Sequence, residues 1–413
     1  MRAIFGFRHR IFYGWVIVAA FLLLTTILWG LRLSFGVFFK SVESEFSLSR
    51  AATSTVLSTY MVVGILFVVI GGWALDRYGP KVALLIMGFF TGLSLLLTSQ
   101  TASLWQLFVT YSLLLAVGTS PTYMVTISTV ARWFDRRRGL ALGIASIGAG
   151  LGTVVMAPFA TYLITHFDWR TAYLYIGIIA WVIVIPVAFV LKKGPHALGK
   201  PPETPSPLSG STAAVPLDLS LSQAFRTRSL WLLTVISFLA SSAQMLVMTH
   251  IVPHATDSGF SDFQAAAVLS LIGASNIIGK IVFGAAADRR GNKPTAIFCT
   301  LLQFLAMVWL LWADQLWMLY VFAIAYGFSY GGRGPIMGSM VGDVFGLSAM
   351  GAILGIVEIG FNTGAAFGPF LGGLVYDIQQ SYFFAFLLGA AFTLVSALLT
   401  AMLHRETGRT PVG

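Results

Sequence analysis

The sequence predicts an all-α membrane protein of twelve transmembrane helices, arranged as two pseudo-symmetric bundles of six. Three observations carry this expectation. Only 10% of the 413 residues are charged, against roughly 25% in a soluble domain, and the mean hydropathy is +0.85. Apolar runs of about twenty residues recur along the whole length, and each is long enough to cross a bilayer core as a helix. One block of sequence occurs twice at a fixed offset. Membrane strands are excluded because the runs are too long and do not alternate.

Taken in order, the runs cover about residues 14–38, 52–75, 82–100, 104–129, 140–164 and 171–192, then 229–254, 263–287, 294–313, 316–340, 349–376 and 381–403. Arg8, His9 and Arg10 precede the first run, which is too long for a secretory signal and lacks its cleavage pattern. Between the sixth and seventh runs lies a long polar segment with Pro195, Pro201, Pro202, Pro205, Pro207 and Pro216. It reads as a linker. The expected organisation is therefore residues 1–192, a cytoplasmic linker at 193–228, and residues 229–413. Cys299, the one cysteine, lies in the ninth run, which excludes an intrachain disulfide and a cysteine-based metal site. In the tenth run, Gly331, Gly332, Gly334 and Pro335 surround Arg333 and weaken the helix, which suits backbone beside a cavity. In the eleventh, Gly360, Gly364, Gly368 and Gly372 recur every fourth residue, a stripe for close helix packing.

The net charge of +10 reflects topology. Nineteen of the 25 Lys and Arg residues fall at the termini, in the linker or in the loops on the same side, and only Lys40, Arg50 and Arg170 lie on the other side. The positive-inside rule then places both termini in the cytoplasm of a cell membrane. With its positive charge used for orientation, the chain is a poor nucleic-acid binder. The three remaining cations, Arg32, Lys280 and Arg333, sit within apolar runs together with one acid, Glu358. A charge at bilayer depth costs at least ~2.5–3.5 kcal/mol, so it faces a protein interior or a water-filled path. Three cations against one acid point to an anionic cargo.

Gly72-Trp-Ala-Leu-Asp76-Arg77-Tyr-Gly79-Pro-Lys81 matches Gly284-Ala-Ala-Ala-Asp288-Arg289-Arg-Gly291-Asn-Lys293 at an offset of 212 residues. The same offset carries Gly143, Gly148 and Gly152 onto Gly355, Gly360 and Gly364. Parallel halves of this kind place a substrate site near the midplane between them. The repeated GxxxDRxGxK block resembles the signature of the major facilitator superfamily along the whole chain. The resemblance implies that Asp76, Arg77, Asp288 and Arg289 make charged gating contacts as the halves rock.

Two further stretches narrow the resemblance: Gly14-Trp15-Val-Ile-Val-Ala-Ala-Phe21, and Trp133-Phe134-Asp135-Arg136-Arg137-Arg138-Gly139-Leu140-Ala141-Leu142-Gly143. They resemble the two signature motifs of the monocarboxylate transporter family and its bacterial oxalate:formate antiporter relatives. Phe12-Tyr13 stand where the first motif begins with an acidic residue. Family members carry a carboxylate-binding Arg in the eighth helix with an Asp or Asn one turn earlier. The matching residues here are Lys280 and Asn276, on one helix face. Lysine is a point charge without arginine's planar fork. The transport-linked Lys of some members aligns with Leu33, one residue from Arg32.

The candidate substrate-binding set is therefore Lys280, Asn276, Arg32 and Arg333, with Tyr123 and Tyr330 as hydroxyl donors. Glu358 is either a proton carrier or a permanent ion-pair partner of Arg333 or Lys280. His250 is a second proton-coupling candidate. With His254 four residues on, it reads as a vestibule group or as two metal ligands lacking a third. The expected function is alternating-access transport of small organic anions, monocarboxylates first, with a co-transported proton or a counter-anion. A dicarboxylate antiporter and a non-transporting membrane sensor are the alternatives. No cofactor is implied, and no nucleophile–base set points to an enzyme.

Overall fold

The computed structural model describes residues 12–134, 138–192, 221–345 and 350–403. The first half contributes α1 (Tyr13–Leu33 and, after a break at Ser34, Phe35–Glu45), α2 (Arg50–Tyr78), α3 (Pro80–Thr98), α4, α5 (Arg138–His166) and α6 (Trp169–Val190). The second half contributes α7 (Arg228–Asp257), α8 (Asp262–Arg290), α9 (Asn292–Leu310), α10, α11 (Met350–Gln379) and α12 (Phe383–Met402). There is no strand among the described residues. Two elements are irregular. α4 runs as Leu104–Leu107, a π-helical Phe108–Leu114, Leu115–Thr119 and then Thr122–Ala131 beyond Pro121. α10 is split at Gly332 into Leu316–Gly331 and Arg333–Phe345. Eleven helices among the described residues are therefore long and apolar enough to cross a membrane, and α10 is the twelfth span in two pieces. Where the sequence predicts a weakened helix over 316–340, the backbone breaks.

Helix starts are fixed locally. The Ser49 hydroxyl caps α2 by accepting from Ala52 N, Asp168 caps α6 by accepting from Thr171 N, and Ser261 with Gln264 forms a capping box on α8. These groups satisfy amides that a helix leaves unpaired at its first turn. The repeated block appears as the same turn twice. Gly79, between α2 and α3, has φ 84° and ψ 172°; Gly291, between α8 and α9, has φ 90° and ψ 157°. Both lie in a region that L side chains rarely adopt, which explains a glycine at each copy.

In a membrane, helices associate through close packing and hydrogen bonds rather than by hiding apolar surface from water. α11 follows that rule on α7. A methyl on Gly360, Gly364 or Gly368 would overlap the carbonyls of Thr234, Phe238 and Ser242 respectively. The expected stripe is thus the α7–α11 seam. The apolar cores also follow the chain. One joins Ile17 to Leu191 with only Met245, Ala365 and Ala366 from later residues. The others are built from residues 224–403, with Ala157 added.

The halves meet through α5–α8, α2–α11 and the end of α1 against α7. Glycines allow backbone contact there: Gly150 with Gly273, Gly36 with the carbonyls of Met248 and Thr249, and Gly373 with Arg50. At Gly143, Gly284, Gly334, Gly338 and Gly355 an added side chain would meet nothing. These five lie toward the face where residues 192 and 221 flank the linker, the linker face. The opposite side, where α1 ends, α2 begins and α7 and α11 end, is the far face.

Candidate functional site

Arg32 occupies the last turn of α1 before the break at Ser34. Its guanidinium lies 4.8 Å from the Trp29 ring centroid and 5.7 Å from that of Tyr60. Cations favour such aromatic faces. Its Nη2 meets only the Met61 sulfur, at 2.9 Å, and its buried Nε has no acceptor. Tyr60 is held in place by a 2.7 Å bond to the Thr119 hydroxyl. Arg333 opens the second piece of α10. Its Nη2 donates to the carbonyls of Ile236 and Ser237 at 3.3 and 3.4 Å, and its buried Nη1 has no acceptor. A thioether and two long carbonyl contacts are weak partners for two guanidinium groups, and leaving charged donors unpaired in an interior is costly.

Glu358, on α11, is exposed and has no ion pair within 4 Å among the described residues. It lies within electrostatic reach of Arg32, Arg333 and Tyr123. The permanent salt bridge with Arg333 or Lys280 is therefore not formed here. Asn362, one turn on, bonds to the Glu358 carbonyl at 2.8 Å. Tyr123 is exposed, and Tyr330 is half-buried beside Arg32 and Arg333.

Lys280 stands apart from that group. Its Nζ donates across the halves to the Ser146 carbonyl at 3.1 Å. Ser146 is the residue that the 212-residue offset pairs with Glu358. Asn276, one turn earlier, is buried at 4% exposure. Both are positioned by backbone contact between α8 and α10: a methyl on Gly331 would overlap the Asn276 carbonyl and the Lys280 amide. The predicted cations thus form two groups, Arg32 with Arg333 and Glu358, and Lys280 with Asn276 on the α5–α8 seam. Gln244, missed in the sequence, joins the first group with a buried Oε1 that has no donor. It could have been found, because the same offset carries Arg32 onto Gln244.

On the linker face, Arg77 is exposed and lies 5.6 Å from the Trp73 ring and 5.7 Å from the Tyr78 ring; Arg289 is exposed as well. The side chains of Asp76 and Asp288 lie outside the described residues, as do most of the linker and Asp135-Arg136-Arg137. The two narrower motifs meet in one aromatic cluster. Trp15 and Phe134 have centroids 5.0 Å apart, Phe12 and Phe134 5.4 Å, and Tyr13 and Trp133 5.4 Å. Phe12-Tyr13, where the family pattern has an acid, are therefore packing residues here.

The far face carries a network that sequence reasoning did not assemble. Arg50, 7% exposed, donates from Nη1 to Asp257 at 2.6 Å and to the Tyr382 hydroxyl at 2.6 Å, and from Nε to Glu43 at 3.2 Å. Its guanidinium stacks 3.7 Å from the Tyr376 ring centroid. Lys40 pairs with Asp257 at 2.6 Å. Asp377 accepts from the amides of Arg50 and Ala51, each at 2.9 Å. Beneath them His250 is fully buried, bonded to Ser54, Pro369 and Tyr382. His250 thus joins two halves and is not an open vestibule group. No group of three metal-ligating side chains exists among the described residues.

The family model for the Major Facilitator Superfamily matches residues 16–289 and 235–413. Monocarboxylate transporter 13 of Bos taurus is 26% identical over 395 residues, covering 95% of this chain and 90% of that protein. Monocarboxylate transporter 12 of Homo sapiens is 28% identical over 414 residues, covering 94% and 80%. Among solved structures, a bacterial homologue of the human lysosomal transporter Spinster, in an inward-facing and unoccupied conformation, superposes with a TM-score of 0.71 at 14% identity, covering 96% of this chain and 99% of that one. Twelve spans, a turn repeated at Gly79 and Gly291 and these matches together place the chain in the major facilitator superfamily, as a multi-pass membrane transporter similar along its length to monocarboxylate transporters.

Proposed function

We propose that the protein is a secondary active transporter of small organic anions, monocarboxylates first, coupled to protons and working by alternating access. Residues 1–192 and 229–413 rock against each other about the site, joined by 193–228, in a cell membrane with both termini cytoplasmic. The observation that carries this reading is the pair of buried guanidinium nitrogens without acceptors, on Arg32 and Arg333. A carboxylate supplies the missing acceptor to either, and arginine's fork suits it. Lys280 and Asn276 form the second attachment point, and Tyr123 and Tyr330 donate from the cavity wall. Glu358, exposed and unpaired, is the group that takes the proton. Asp76, Arg77, Asp288 and Arg289 close the linker face in the alternate state. The closed far face and the uncrowded glycines toward the linker support an inward-facing reading of this structure.

The second reading is exchange of dicarboxylates. Having two unsatisfied arginines in place of one favours it, since a second carboxylate would meet the second cation. Thermal-shift measurements on purified protein, with series of mono- and dicarboxylates, separate the two. Native-state binding at a hundred times Kd stabilises by ~2.7 kcal/mol. A shift with monocarboxylates, absent in Lys280→Ala, supports the first reading. Shifts with dicarboxylates alone favour the second. No shift with either series refutes both.

A further inference from the structure

His250 lies fully buried where α2, α7, α11 and the start of α12 meet. Nε2 is 2.9 Å from the Pro369 carbonyl oxygen and 3.3 Å from the Ser54 hydroxyl, and Nδ1 is 3.2 Å from the Tyr382 hydroxyl. A carbonyl only accepts, so Nε2 carries the hydrogen. Tyr382 accepts from Arg50, which only donates, and in the neutral Nε2–H form of the ring the tyrosine's own hydrogen meets Nδ1. With a neutral ring, the series Arg50, Tyr382, His250, Pro369 pairs every donor with an acceptor, and the ring itself is fully buried.

A second proton on the ring would reverse the Tyr382 bond and place a charge in a fully buried position. Nδ1–H would face the hydroxyl from which Nδ1 now accepts, Tyr382 would lose its acceptor, and an imidazolium would stand close to the Arg50 guanidinium. The acids on the neighbouring elements are engaged: Asp377 by the amides of Arg50 and Ala51, Asp257 by Arg50 and Lys40, and Glu43 by Arg50. Tyr376 lies under the guanidinium, and His254 presents its ring edge-on to Tyr382 and Phe386. Among the described residues, no hydrogen bond or ion pair brings a carboxylate to the His250 ring itself.

Ser54 belongs to the first half, whereas Pro369 and Tyr382 belong to the second. Parting the far face therefore removes the Ser54 contact and the Arg50–Tyr382 bond, and opens the ring to water. We propose that His250 is a proton-binding site filled only while the far face is open, so that proton binding from that side and closure of the latch exclude each other. This inference rests on the alternating-access reading. It separates His250 from Glu358, since a proton carried across must stay on its group while the far face is closed. Acid on the far side holds the carrier outward-open.

A water-exposed imidazole titrates near ~6.5. If the closed form takes no second proton, the open-to-closed ratio rises about tenfold between pH 8 and pH 5.5. The test uses nitroxides on cysteines placed at Gln100 and Asp314, exposed on far-face loops of the two halves and outside the latch, with Cys299→Ala. Pulsed dipolar spectroscopy reads the distance between them at both pH values. The expected result is a long-distance population about ten times larger relative to the short one at pH 5.5, with no such response in His250→Gln. An equal response in His250→Gln, or none in the parent protein, overturns the proton site. Arg50→Ala is expected to open the far face at both pH values. If Arg50→Ala opens it while the parent ignores acid, only the proton site fails; if Arg50→Ala stays closed, the rocking reading fails with it. ¹⁵N spectra of histidine-labelled protein give a readout independent of substitution. They are expected to show the neutral Nε2–H form for His250 in latched protein, and an imidazolium signal there overturns the inference.

Discussion

Replacing Asp377 tests the latch on which the far face closes. Asp377 ends α11 in the second half, yet both its carboxylate oxygens cap α2 in the first, accepting from Arg50 N and Ala51 N at 2.9 Å. The first turn of α2 is completed from its own half only at Ala52 N, by the Ser49 hydroxyl, and at Thr53 N, by the Ser49 carbonyl. Closure therefore satisfies two helix-terminal amides with a negative charge, at the end where the helix dipole favours one. Water solvates the same amides when the face is open, so the difference is of the order of a cap substitution, up to about 2 kcal/mol for Asp377→Ala. That corresponds to a roughly thirtyfold shift of the closed-to-open ratio toward open. Asp377→Asn keeps one acceptor, and about 1 kcal/mol gives roughly a fivefold shift. The nitroxide pair at Gln100 and Asp314 reads both variants at neutral pH. The expected order of open population is parent, then Asn, then Ala. An open population unchanged in Asp377→Ala, or larger in Asn than in Ala, refutes the reasoning.

Lys280→Ala is expected to abolish substrate uptake and Lys280→Arg to retain part of it; unchanged affinity in the alanine variant, by thermal shift, removes Lys280 from the binding site. Glu358→Gln is expected to uncouple uptake from a pH gradient while sparing exchange of labelled for unlabelled substrate, because an exchanging carrier need not release its proton. Equal gradient dependence in Glu358→Gln and the parent assigns the proton to another group. Gly364→Ala places a methyl against the Phe238 carbonyl and is expected to destabilise the α7–α11 seam by about 1–3 kcal/mol, as overpacking does. A melting temperature equal to the parent's in detergent contradicts the close-packed seam.

Much of the fold was legible in the sequence because the bilayer imposes it. A span must be long, apolar and helical, so the twelve runs could be delimited by composition. Their observed ends lie within a few residues of the expected ones at α5, α7, α8 and α12, whereas α1 extends seven residues further, to Glu45, and α7 adds a last turn to Asp257. Those extra turns carry Lys40, Glu43 and Asp257, the residues that build the latch. A hydropathy pattern ends where charge begins, so it stops short of the elements that close the far face.

The site was legible to the same extent and for a similar reason. A cation in an apolar run must have a use, which singled out Arg32, Lys280 and Arg333 without any structure. Directions within the bundle were not readable. The break at Gly332 turns Arg333 onto the α7 carbonyls, and the glycine-mediated approach of α8 to α10 sends Lys280 across to Ser146. On its own the sequence determined the span count, the twofold repeat with its paired glycine turns, and the presence of surplus positive charge at membrane depth, because each depends on local composition or on spacing along the chain. Only the tertiary structure decided that Arg50, Asp257, Asp377, Tyr382 and His250 form one network. Those residues are separated by up to 332 positions, and they meet because the tilt of one half against the other brings helix ends together, a property that no local pattern encodes.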